Sequence, residues 1–223
     1  ISSNDNSRLQ FTSRNELETA LVGEITVVRA DPAITPLSLF NPPDTDSPIG
    51  RFAGKKGLLF ATNAAMFGQD YATSIGYMRN FAVINNAHIA SKLQGFLLFH
   101  PRNGGLPNVK IGTRDDLEGY DTAFQTYRMW DPVQGILWKE GASIYMQVAL
   151  VGVDKSGRVL FFFHPNLIDV HEMVAQILDL GLDLEGLLYL DGGHHGALYL
   201  GAGLGQSHNA WITLPNVLGI SPR

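Results

Sequence analysis

The chain of 223 residues contains no cysteine. That excludes disulfides, cysteine nucleophiles and thiolate-held metals, and it leaves the compartment open. Long hydrophobic runs are absent too: no apolar stretch approaches the ~20 residues a membrane-spanning helix needs. Charge is sparse, at 17% of residues, with a net charge of -5. A general nucleic-acid binder needs a basic surface for phosphate, so no nucleic-acid partner is expected. No block of like charges marks a tail. The chain begins at Ile1 without a methionine, which fits a removed leader and a secreted, periplasmic or cell-envelope protein, and fits a trimmed cytosolic one as well. The length allows one large domain or two small ones, with a substantial core.

What is present is organised around residues 184–200, LEGLLYLDGGHHGALYL. The apolar run Leu187–Leu190 reads as a buried strand, and it stops at Asp191. Gly192 and Gly193 can take backbone conformations closed to other residues, so a tight turn follows. A carboxylate and the imidazoles of His194 and His195 then share the end of a rigid strand. Functional residues are often placed this way, although Asp191 in such a turn can also serve only to hold backbone amides. A second apolar strand, Leu58–Ala61, ends in a compact turn with Asn63 at its mouth.

Elsewhere the patterns are ordinary. Residues 1–10 are polar and read as frayed, and a flexible segment is expected over 1–19. Glu24–Ala30 is β-branched and strand-like. Residues 41–50, NPPDTDSPIG, form a proline-rich surface loop. Gly95–His100 is a further strand, and Tyr120–Trp130 leans to strand over helix. Trp130 and Trp138 flank a turn at Gly135; each suits the core, and near a cleft each would stack on a sugar face. Tyr145–Val153 and Arg158–Phe163, joined by Asp154-Lys155-Ser156-Gly157, make a β-hairpin. Over 169–180 the period changes: Val170, Met173, Val174, Ile177 and Leu178 share one helical face. Asp169 with Glu172 resembles a capping box, and Gly181 suits the C-terminus. His171 and Glu172 of this helix are expected to face water.

The glycine loop 201–209, GAGLGQSHN, lacks the spacing and the strand–helix setting of a dinucleotide site. It runs into Trp211–Pro215, a strand pattern, and reads as a rim loop carrying Ser207, His208 and Asn209.

These segments, in this order, resemble the phosphodiester glycosidase domain family, which includes bacterial exopolysaccharide-related proteins. The matching stretches are Asn63-Ala64-Ala65-Met66-Phe67, Gln125-Thr126-Tyr127-Arg128-Met129, the hairpin and helix, Leu190-Asp191-Gly192-Gly193, and Leu214–Gly219. The resemblance runs from about residue 20 to the C-terminus, with residues 20–223 as the family-like domain. It departs at three places. His194 and His195 stand where the family has a small residue and a serine. Ala65 or Met66 replaces a glycine of the asparagine turn. Gln147 is the polar residue nearest to an expected arginine at the start of the hairpin.

The resemblance implies a hydrolase of glycosyl phosphodiesters in glycans or cell-envelope polymers, with a carbohydrate or sugar-phosphate partner. A phosphate leaving group needs less protonation than an ordinary aglycone, so one carboxylate, stabilising the oxocarbenium ion or guiding water, can suffice. Asp191 is assigned that role, with His194, His195 and Asn63 as catalytic partners. Arg79 and Asn80 are assigned to the phosphate, and Gln125 and His208 to the sugar. The sequence requires no cofactor, and a divalent metal on the histidines and Asp191 is a competing use of the same residues. A non-catalytic glycan-binding relative that kept the fold is the alternative. The expected fold is a single α+β domain, with a mixed and antiparallel sheet core and a few packed helices.

Overall fold

A computed structural model describes residues 9–41, 48–142, 144–210 and 213–223. In chain order, β1 (Thr12–Arg14), β2 (Leu17–Val22), β3 (Ile25–Ala30) and β4 (Leu37–Phe40) precede α1 (Ile49–Lys56) and β5 (Phe60–Asn63). Then come β6 (Met78–Asn80), β7 (Val83–Asn86), β8 (Gly95–Pro101), β9 (Val109–Gly112), β10 (Tyr120–Thr126), β11 (Arg128–Asp131) and β12 (Gly135–Ile136). The last group is β13 (Ile144–Tyr145), β14 (Val148–Asp154), β15 (Val159–His164), β16 (Ile168–Asp169), α2 (Val170–Asp179), β17 (Leu184–Asp191), β18 (Leu198–Leu200) and β19 (Val217–Ile220).

An eight-stranded sheet, in the order β1-β2-β3-β15-β14-β17-β11-β12, carries the architecture. A five-stranded sheet (β7-β6-β10-β8-β9) and a four-stranded one (β18-β5-β19-β4) cover one of its faces. Alternation along each strand sorts the core into two layers. Val151, Phe161, Phe163, Leu188 and Leu190 meet Phe60, Leu97, Phe99 and Phe124 of the smaller sheets on one side. Leu150, Leu160, Phe162, Leu187 and Tyr189 meet Val170, Met173, Val174 and Ile177 of α2 on the other. Covered on both faces, β14 and β15 have every residue buried, which explains their unbroken apolar sequence.

The fold is sheet-dominated α+β. The expected parallel component of the sheet is missing: every strand pair among the described residues is antiparallel. The helix between β15 and β17 suggests a parallel crossover, but β14 occupies the place between those two strands. Both flank it antiparallel, so they point the same way without pairing.

The hairpin forms, with its first strand starting at Val148; Tyr145, expected in that strand, lies in β13 and pairs with β16 in a separate two-stranded sheet. Asp154 Oδ1 accepts the amides of Ser156 and Arg158, and Gly157 has φ 78°. Helix α2 starts on Asp169, whose Oδ1 accepts from the amides of His171 and Glu172. Glu172 is exposed, whereas His171 is half-buried.

Other boundaries shift. The division at residue 19/20 falls inside β2, because β1 and β2 are built into the large sheet. Residues 1–8 lie outside the described residues, as do 42–47 of the proline-rich loop; its last two residues begin α1. Tyr120–Trp130 divides into two strands in different sheets, β10 and β11. Of the strand expected over 211–215, residues 211–212 are outside the described residues. Residues 213–216 form no strand, and pairing resumes at Val217 after Pro215, which has no amide to donate.

Candidate functional site

The last residue of β17, Asp191, leaves the sheet with φ 115°. A non-glycine residue in this region carries strain of about 1–3 kcal/mol and persists only where its surroundings hold it. They do. Asn63, at the end of β5 and 3% exposed, donates from Nδ2 to the Leu190 carbonyl at 2.7 Å and accepts the Ala197 amide at 3.0 Å. One buried side chain therefore ties together both ends of the turn.

Beneath the turn, the Gly193 amide donates to the Met146 carbonyl at 2.6 Å. Gly196 lies so close to the Gln147 backbone that a Cβ would fall 1.5 Å from its carbonyl oxygen. Gln147 itself has φ 55°, and its Oε1 is buried without a hydrogen-bond partner. It is the same glutamine that stands nearest to the family's arginine position.

Within this frame Asp191 Oδ1 accepts the Gly192 amide at 2.8 Å, and Oδ2 lies 3.3 Å from His195 Nδ1. Asp191 is 8% exposed, whereas the His195 side chain is 32% exposed. The ring of His195 rests on Phe67, with centroids 4.8 Å apart. The Asn63–Phe67 turn thus supplies both the clamp and the ring that backs the imidazole.

His194 and His195 follow Asp191 within the turn. They belong to a 3-10 turn, Gly193–His195, in which neighbouring side chains diverge by about a third of a turn. His195 Nδ1 is the ring nitrogen set against Asp191, and His194 is exposed. Tyr189, two residues before Asp191 and separated from it by a bulge in the pairing with β14, would have its hydroxyl 2.9 Å from a Cβ on Gly192. Burial, then the nearby Asp191 and Tyr145, push its acidity far below the ordinary phenol range, so it stays neutral. Its ring stacks on Trp138 at 5.9 Å, and Tyr127 meets Trp138 edge-on at 5.4 Å. Neither Tyr189 nor Phe67 has a local sequence signal for its place here, because the bulge between Tyr189 and Asp191 breaks the strand alternation.

The remaining expected residues are engaged elsewhere. Arg79 donates to the carbonyls of Leu117 and Tyr120. Asn80 donates to the Leu39 carbonyl and accepts from the Thr122 hydroxyl. Gln125, buried, accepts the amides of Tyr77 and Ala90 and donates to the carbonyls of Ala90 and Leu93. None of these bonds reaches the Asp191 turn.

His208 pairs through its backbone with Leu198, and its ring stacks on Phe163 at 5.2 Å. Burial lowers its pKa. It lines a separate 660 Å³ cavity with Glu24, Asn166 and Leu204. Among the described residues no three His, Asp or Glu side chains converge on a common metal position; Asp191 and His195 offer two donors.

No family model matches this sequence, and no curated protein matches it. Solved structures do. The chain is similar to the catalytic domain of zebrafish N-acetylglucosamine-1-phosphodiester alpha-N-acetylglucosaminidase, auto-inhibited by its pro-peptide. There the identity is 14% and the TM-score 0.63, over 99% of this chain and 86% of that one. It is also similar to a hypothetical protein from Synechocystis, at 12% identity and TM-score 0.64 over 96% of this chain and 61% of the other. A protein described as exported, from Burkholderia pseudomallei, matches at 10% identity and TM-score 0.51, over 92% and 74%. At these identities the likeness is one of fold.

Proposed function

We propose that this protein hydrolyses glycosyl phosphodiester linkages at the Asp191–His195 pair. The observation that carries the reading is the 3.3 Å approach of Asp191 Oδ2 to His195 Nδ1 on a strained strand end. The fold shared with a phosphodiester glycosidase catalytic domain supports it. Asp191 is nearly buried and His195 is not, which fits a carboxylate that orients an imidazole. Of the two roles open to Asp191, guiding water therefore fits better than direct contact with the sugar.

In the proposed reaction Asp191 holds Nδ1, and Nε2 takes a proton from water. The water oxygen bonds to the anomeric carbon, and the carbon–oxygen bond to phosphate breaks. The phosphate monoester leaves with the bonding electrons. It is a stable anion, so a second carboxylic acid is unnecessary, unlike in ordinary glycoside hydrolysis. Asn63 is a positioning residue, and Tyr189, neutral beside Asp191, adds no second negative charge.

The family-like domain would begin with β1, because β1 and β2 belong to the large sheet. An exported or cell-envelope setting fits the exported neighbour. No helix among the described residues is long and apolar enough to cross a membrane.

The test is turnover of a panel of sugar 1-phosphodiesters by the wild type, Asp191→Asn and His195→Gln, with and without chelator. Turnover that needs both side chains and survives chelation supports the pair. Turnover lost to chelator and restored by a divalent ion would make them metal ligands instead. Binding of the panel with no turnover would favour a glycan-binding relative. That second reading draws on the backbone contacts that occupy Arg79, Asn80 and Gln125.

A further inference from the structure

Beside Trp138 lies a cavity of about 260 Å³. Its lining includes Lys92 before β8, Arg128 at the start of β11 and Lys139 after β12, and no carboxylate. In a chain of net charge -5, three cations around one small cavity are a local reversal of the protein's field.

Arg128 is fixed in place: Nη2 donates to the Gly112 carbonyl at 3.0 Å, and Nη1 lies 3.6 Å from Asp131 Oδ2. Lys92 and Lys139 are exposed and form no ion pair among the described residues. The apolar wall is the edge-on pair Tyr127 and Trp138. Trp138 also stacks on Tyr189, whose hydroxyl lies against Gly192. Two stacked rings, Trp138 and Tyr189, therefore link this cavity to the Asp191 turn.

We infer that the cavity is a binding subsite for the anionic end of a charged saccharide, either a sugar phosphate or a uronic acid. The cations meet the charge, and the rings meet the sugar face. The volume lies just below the ~300 Å³ at which pockets for drug-sized ligands begin, so the subsite holds one charged unit. This inference rests on the reading of Asp191 and His195 as the place where the bond is cleaved, since it puts the charged group of the substrate across the Trp138–Tyr189 stack from that turn.

The experiment is calorimetric titration of the full chain with α-glucose 1-phosphate, glucuronic acid and neutral methyl glucoside, at low and high salt. The charged probes are expected to bind and the neutral one not, with affinity falling as salt rises. Whichever charged probe binds more tightly identifies the anion. Lys92→Gln combined with Lys139→Gln, both at exposed positions, is expected to weaken binding by roughly tenfold or more. Trp138→Ala should weaken it as well. Absence of binding by both charged probes overturns the inference, as does affinity indifferent to the two lysines. The two readings fail separately. Sugar-phosphodiester turnover with an unaltered KM in the double-lysine variant would remove the subsite and keep the hydrolase. Lysine-dependent binding without turnover by any variant would do the reverse.

Discussion

Replacing Asp191 by glycine and by alanine separates what its backbone costs from what its carboxylate contributes. Both variants lose the Oδ1 bond to the Gly192 amide and the contact with His195. Alanine keeps the Cβ that makes φ 115° unfavourable, and glycine removes it. The strain at such a position is about 1–3 kcal/mol. Glycine gives back about 0.5–1 kcal/mol through the entropy of the unfolded chain. Asp191→Gly should therefore be more stable than Asp191→Ala by about 0.5–2 kcal/mol. In urea unfolding followed by circular dichroism, the midpoint should be higher for glycine with an unchanged slope. For a chain of this size the melting temperatures should differ by about 1–8 °C. An alanine variant as stable as the glycine variant would refute the strain, and with it the idea that the fold holds Asp191 in a costly conformation.

Asn63→Ala removes a buried clamp and leaves the Leu190 carbonyl and Ala197 amide unpaired. A loss of about 2–4 kcal/mol is expected in chemical denaturation, and any remaining activity should fall through kcat with little change in KM. Gly196→Ala has no room, because the obstruction is the Gln147 backbone. Destabilisation of about 3 kcal/mol is expected, at the upper end for overpacking, and thermal melting would show it. Burial lowers the pKa of His100, against smaller opposing effects of the Leu37 backbone and Asp121. The unfolded chain then binds the proton first. This contribution to stability is complete above about pH 6.5 and is lost as pH falls through the lower folded value. His100→Gln should flatten that part of the stability–pH curve in urea titrations; an unchanged slope would count against the burial effect.

Local chemistry made much of the fold readable. The β14–β15 hairpin, the Asp169 cap of α2 and the apolar end of β17 each follow from residues a few positions apart. Helix α1 was less legible, since its sequence IGRFAGKK carries two glycines and follows a proline-rich stretch. At the site, the strand end at Asp191 could be located, but the duties of the polar residues around it could not. Asn63 and Gln125 look alike as isolated amides, yet both are spent on backbone groups distant in sequence. The adjacent histidines are equivalent in the sequence, and the 3-10 turn sets His195 against Asp191. The lysines beside Trp138 come from separate loops, so no sequence spacing joins them.

The most direct test of the account is the rate at which the wild type and Asp191→Asn cleave a sugar 1-phosphodiester, measured by release of the phosphate monoester. The asparagine keeps the shape of the turn and removes the charge facing His195 Nδ1. The account predicts measurable wild-type turnover and a fall in kcat of about 10²–10⁴ in the variant, because His195, the proton acceptor, loses the carboxylate that orients it. Equal turnover by the two proteins would contradict it.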